Sequence, residues 1–87
     1  MASTQHMAFF ILVPAPGNTS LSSQSSNGHT LSIATLSDID AAKRLTQELT
    51  SQGVDTIELS SSFGEQGLKA VREMAGGNVK VGLVRFD

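Results

Sequence analysis

Between Leu31 and Phe86 the chain passes twice from an extended apolar run into a helical period and back, with glycine at each return. That alternation leaves few solutions. A strand, a helix and a further strand in succession call for a crossover and a parallel pair, not a hairpin. Leu31–Leu36 reads as a strand, and Ser37 follows as a helix N-cap, with Asp40 completing a capping-box pattern. Asp38 and Asp40 fall where the helix dipole favours anions, and such a cap is worth roughly 1 kcal/mol. Ile39, Ala42, Leu45 and Leu49 recur at helical spacing, with Lys43, Arg44, Gln47 and Glu48 on the wet face. Gly53 closes this helix at the position after its cap. Val54–Ser60 is the next strand. Ser62 with Glu65 gives a second S-x-x-E signal, so a helix is expected from Phe63 or Gly64, with Leu68, Val71 and Met74 or Ala75 on its apolar side. Gly76-Gly77 ends it, and Val79–Phe86 reads as the last strand.

The first third of the chain is less patterned. Residues 1–7 are polar and irregular, and read either as a leader or expression remnant or as native sequence; Met7 is a candidate start. Ala8–Val13 is a short apolar run without the basic flank and long apolar region of a secretory signal, so it reads as a buried strand. Pro14 and Pro16-Gly17 end it. A Ser-rich loop is expected over about 14–29, long for a compact domain. Three readings stand for it: a linker, a lid over a site, or a segment with local structure of its own. The expected architecture is a single two-layer α/β domain over residues 8–87, in the order β-loop-β-α-β-α-β. It has a mostly parallel four-stranded sheet and two helices on one face. Right-handed crossovers between strands adjacent in sequence order put both helices on that face. Parallel sheets seldom leave a face to water. The other face should then be covered by the N-terminal strand and loop, or by another copy of the chain, which predicts a homo-oligomer.

Length and composition remove several classes of function. Eighty-seven residues make one domain, whose folding buries roughly 60–65% of the unfolded chain's surface. Six Lys+Arg scattered among eight acids, with net charge −2, give no basic stripe for nucleic acid. No apolar run approaches the ~20 residues that span a membrane. Cysteine is absent, which rules out disulfides, thiolate metal sites and Cys nucleophiles and is compatible with any compartment. With no secretory signal, the expected location is cytoplasmic.

Three groups of residues together resemble a family of short, uncharacterised bacterial α/β proteins, a domain of unknown function. They are Gly53-Val54-Asp55-Thr56-Ile57-Glu58-Leu59, then Phe63-Gly64 with Gly67, then Val81-Gly82-Leu83-Val84-Arg85-Phe86. The family pattern is similar to G-V-D-x-I-E-L-x-x-x-F-G-x-x-G, a helix, and V-x-V-G-x-V-R-F, and the resemblance covers about residues 30–86. It implies a compact α/β fold and no known activity. Where the family carries a Cys or a Gly-Gly turn after the E-L strand, this chain has Ser60, Ser61 and Ser62. Where the family has a charged segment after the first strand, this chain has serines. A function carried by either feature would be absent here.

Two places could carry chemistry. Ser60, Ser61 and Ser62 stand at the carboxyl end of a parallel strand and ahead of a helix, where open α/β sheets bind ligands and where free amides favour anions. Gly64 allows close backbone approach. The same residues would serve equally as a turn and a cap. Glu58 lies within an apolar strand, and an isolated buried carboxylate costs several kcal/mol unless paired or bordering a cavity. Arg85, in the last strand, is either its partner or a carboxylate- or phosphate-binding fork. Alternation puts Glu58 on the face of Thr56 and Ser60, and Arg85 on that of Val81 and Leu83. The leading expectation is a small oligomeric protein holding a small anionic or polar ligand with Ser60, Ser61, Ser62, Gly64 and Arg85. The alternatives are an enzyme with an inter-subunit site using Glu58 as general base, or an interaction module using the open sheet face. No cofactor or metal is implied, since His6 and His29 are the only histidines and lie far from the motifs.

Overall fold

The computed structural model describes residues 5–13 and 19–84. In these the elements run β1 (Gln5–Leu12), β2 (Ser20–Ser26), β3 (His29–Leu36), α1 (Ile39–Ser51), β4 (Thr56–Ser60), a short 3-10 turn (Ser61–Phe63), α2 (Gly64–Ala75) and β5 (Lys80–Val84). The five strands form one sheet in the order β2-β3-β1-β4-β5. β1 runs parallel to both β3 and β4, β4 runs parallel to β5, and β2 alone is antiparallel, to β3.

Two expectations are corrected here. The sheet has five strands among the described residues rather than four, because Ser20–Ser26 is a strand and not part of a loop. It joins β3 through Asn27-Gly28, whose φ values of 52° and 82° are both positive, as a tight hairpin turn requires. The N-terminal strand also does not cover the sheet. It lies in its middle, between β3 and β4, and it begins at Gln5, so Gln5-His6-Met7 is part of the domain.

Crossovers from β3 to β4 and from β4 to β5 advance in one direction along the sheet, so right-handed connections place both helices on one side. α1 and α2 pack against each other there, and α2 against β5. The covered face supplies the core: Ala8 and Phe10 from β1, Ala34 and Leu36 from β3, Ile57 and Leu59 from β4, against Ala42, Leu49, Leu68 and Val71 from the helices. Fully burying a side chain the size of Phe or Leu contributes about 1.5–3 kcal/mol, and Phe10, Leu36, Ile57 and Leu59 are each at most 1% exposed. Buried Thr46 satisfies its hydroxyl by donating to the Ala42 carbonyl at 2.7 Å.

The helix ends show which sequence signals were used. Asp38, not Ser37, caps α1: its Oδ1 accepts from the Ala41 amide at 2.7 Å. At the other end Gly53 (φ 101°) donates to the Thr50 carbonyl at 3.2 Å and Val54 to that of Leu49 at 3.1 Å. This is the paired bonding of a Schellman ending, and buried Val54 packs in the same core as Leu49. α2 starts without a side-chain cap, so Ser62 does not do the capping expected of it.

Candidate functional site

Ser60, Ser61 and Ser62 do stand at the carboxyl end of β4, as expected, and the local structure gives two of them an occupation. Ser60 Oγ accepts from the Leu12 amide at 3.3 Å. Ser62 Oγ donates to the Leu12 carbonyl at 3.2 Å. The two hydroxyls lie 2.6 Å apart and bond to each other. The β1–β4 ladder ends at Phe10 and Leu59, so these serines extend it with side-chain groups and fasten the outgoing end of β1. Ser61 is exposed. Gly64 adopts φ 65°, ψ −176°, a region essentially reserved for glycine. Buried Phe63 lies over Gly67, where a β-carbon would come within 2.8 Å of the Phe63 Cβ. The Phe63-Gly64 and Gly67 positions thus build the entry to α2.

Glu58 is half-buried on the face that the helices leave open, level with Phe9 on β1 and Gly82 on β5. Its Oε2 sits above Gly82, 3.8 Å from where a β-carbon on that glycine would be. Neither register neighbour offers a second acid or base. Arg85, the partner expected for Glu58, lies outside the described residues. Val81 and Leu83 pack toward the helices, which shows which face they cover.

That open face is the largest feature not explained by the fold itself. β1 and β3 present Met7, Phe9, Ile11, Leu31 and Ile33 on it, with Phe9 level with Ile33 and Met7 with Leu31. Met7 is 38% exposed, Leu31 45% and Ile33 40%. At the amino ends of the parallel strands the face hollows into a groove of about 340 Å³. It lies between Gln5 and Met7 of β1, Gln24 and Ser26 of β2, and His29 and Leu31 of β3. It is at the opposite end of the sheet from Ser60–Gly64. Among the described residues every buried side-chain nitrogen and oxygen has a hydrogen-bond partner, and no three His, Asp or Glu side chains converge to hold a metal ion. No described helix is long and apolar enough to cross a membrane.

A family model described as a family of unknown function, DUF6506, matches residues 5–87. The chain belongs to that family. The DUF6506 match begins where β1 begins and takes in the Ser-rich strand as well as the later motifs. No curated protein and no solved structure matches the chain.

Sequence reasoning found the turn and Glu58 of this DUF6506 chain but not the groove, nor the apolar stripe as a unit. The stripe is hard to see along the chain because its residues come from β1 and β3, which are separated by β2. Alternation within each run was the available signal: Met7, Phe9 and Ile11 in one, Leu31 and Ile33 in the other.

Proposed function

We propose that this DUF6506 chain works as a self-associating module in which two copies pack open sheet face against open sheet face. The observation that carries this is the apolar stripe on the central parallel strands, with Met7, Leu31 and Ile33 exposed and Phe9 and Ile11 half-buried. Parallel strands are ordinarily covered on both faces. Five strands about 4.8 Å apart, with lengths up to about 26 Å, offer roughly 500 Å² of flat face per copy. Two such faces reach about 1,000 Å² before side-chain relief is added, the lower bound for a specific interface. Charged groups on this face are few: among the described residues Glu58 and Lys80 are the Asp, Glu, Lys or Arg positions on it, both toward the β5 side. The test is particle mass by light scattering, with Ile33→Lys as the probe, since Ile33 already meets solvent and its loss spares the core. The expected result is a lower mass for the variant with its circular dichroism unchanged. Equal masses for the two proteins overturn the reading.

A second reading is favoured by the groove alone. Its volume falls in the range of small-ligand pockets, roughly 300–1,000 Å³, and its lining includes no Lys or Arg. It suits a neutral ligand with an apolar body and a hydrogen-bonding head. Benzamide should then shift the Met7 and Leu31 resonances where isosteric benzoate does not. Equal effects of the two sink this reading. An anion in the Ser60–Gly64 turn would have to compete with Leu12 for the hydroxyls, and an enzyme using Glu58 as base would need its second group from another copy.

A further inference from the structure

The two edges of the sheet are built differently. β5 has five residues, opens with Lys80, and has its Val81 carbonyl covered by Arg72 of α2, whose Nη2 donates to it at 3.4 Å. A short strand, an edge lysine and a covering side chain are the usual means of keeping an edge from pairing. Among the described residues β2 has none of these. Its seven residues, Ser20-Leu21-Ser22-Ser23-Gln24-Ser25-Ser26, include no charge, proline or glycine. They pair with β3 in seven consecutive registers without a bulge. All seven are exposed.

How β2 holds its one neighbour indicates what it can hold on the other side. Hydroxyls join β2 to β3: Ser20 to Thr35 at 2.7 Å, Ser23 to Ser32 at 2.7 Å, and Ser25 to Thr30 at 2.9 Å. Ser32, 1% exposed, is also in contact with His6 Nε2 at 3.1 Å, which ties the Ser23–Ser32 pair to β1. A strand that repeats the same hydroxyl pairing outward must itself be rich in serine, uncharged and extended. Among the described strands β2 is the one that fits.

We propose that β2 is a strand-pairing edge and that its partner is β2 of a second copy, antiparallel about a two-fold axis, joining two five-stranded sheets into one. Centred on Ser23, the pairing sets Ser20 opposite Ser26, Leu21 opposite Ser25 and Ser22 opposite Gln24. It covers Leu21, which is 47% exposed. The contact uses the edge and leaves the open face free, so it is independent of the face-to-face contact proposed above.

The test uses the full chain carrying Ile33→Lys, which removes the face contact. Light scattering should then give the mass of two chains, and the outward-pointing β2 amides should exchange slowly as well as those bonded to β3. Adding Ser22→Lys and Gln24→Lys, which places like charges across the two-fold axis, should halve that mass; because residue 22 also stands opposite residue 33 on β3, unchanged circular dichroism and retained slow exchange of the amides joining β2 to β3 show that β2 keeps its place within the chain. Ser22→Thr with Gln24→Thr in the same background should keep the two-chain mass. A one-chain mass for the Ile33→Lys protein overturns the edge proposal, as does a two-chain mass that survives both lysines. The face reading fails separately, through equal masses of wild type and Ile33→Lys.

Discussion

Phe63 rests on Gly67 so closely that a β-carbon on the glycine would lie 2.8 Å from the Phe63 Cβ and 2.9 Å from its ring Cδ1. The contact sits at the first turns of α2, where the 3-10 turn delivers the chain from β4. Gly67→Ala should therefore destabilise the fold even though alanine is the better helix former. Overpacking of this kind costs typically 1–3 kcal/mol, against a helix-propensity gain of about 1 kcal/mol. Urea denaturation should show the loss. The double variant Phe63→Gly/Gly67→Ala should be less destabilised than the sum of the singles, because glycine at 63 removes both the β-carbon and the ring that the new methyl group meets. Additive losses would mean that the contact is not the cause.

Gly64 is constrained by backbone rather than by space. Nothing lies within 4 Å of a β-carbon there, yet its φ of 65° and ψ of −176° exclude ordinary side chains. Gly64→Ala should cost of order 1–3 kcal/mol. Gly82→Ala, where the nearest atom is Glu58 Oε2 at 3.8 Å, should cost much less. Comparing the two denaturation midpoints separates strain from crowding.

The serine pair at the end of β4 should protect the end of β1. Ser62→Ala leaves the Leu12 carbonyl without its hydroxyl donor, and Ser60→Ala leaves the Leu12 amide without its acceptor. Each should cost about 0.5–1.5 kcal/mol. Hydrogen exchange at the Leu12 amide should accelerate more in Ser60→Ala than in Ser62→Ala. Equal protection in both variants would show that the serines do not fasten the strand, and would return the turn to consideration as a ligand cradle.

These residues show where the chain's own pattern was sufficient. The two crossovers, the apolar stripes of both helices and the Gly53 ending depend on contacts within a dozen or so residues, and periodicity and turn chemistry report such contacts directly. The place of β1 in the middle of the sheet does not, since it is fixed by pairing with β3 and β4 far along the chain. Ser62 misled for the same reason. As a local signal it matched a capping box, but its hydroxyl is used by Leu12, 50 positions away. β2 was lost to composition: six of the nine residues from Ser20 to Gly28 are serine or glycine, which suggested a loop. Asn27-Gly28, flanked by Leu21 and by Leu31 and Ile33, was the hairpin signal that should have outweighed it.

Glu58 itself gives the sharpest test of what the open face is for. It is half-buried beside Phe9 and above Gly82, on the side of the sheet away from the core. Its carboxylate is therefore not needed by the single chain, and Glu58→Gln should change monomer stability by no more than about 0.5 kcal/mol, as for an ordinary surface position. Self-association is another matter. Closing two faces over this group strips water from a charge, which is unfavourable unless a partner is supplied. Glu58→Gln, of nearly the same shape but neutral, should then tighten the face-to-face contact, by up to about tenfold in the dissociation constant for about 1.4 kcal/mol. Sedimentation equilibrium across a concentration series measures this directly. A weaker contact in the glutamine variant would show instead that the carboxylate meets a cation across the interface, Lys80 of the second copy being the nearest candidate on the same face.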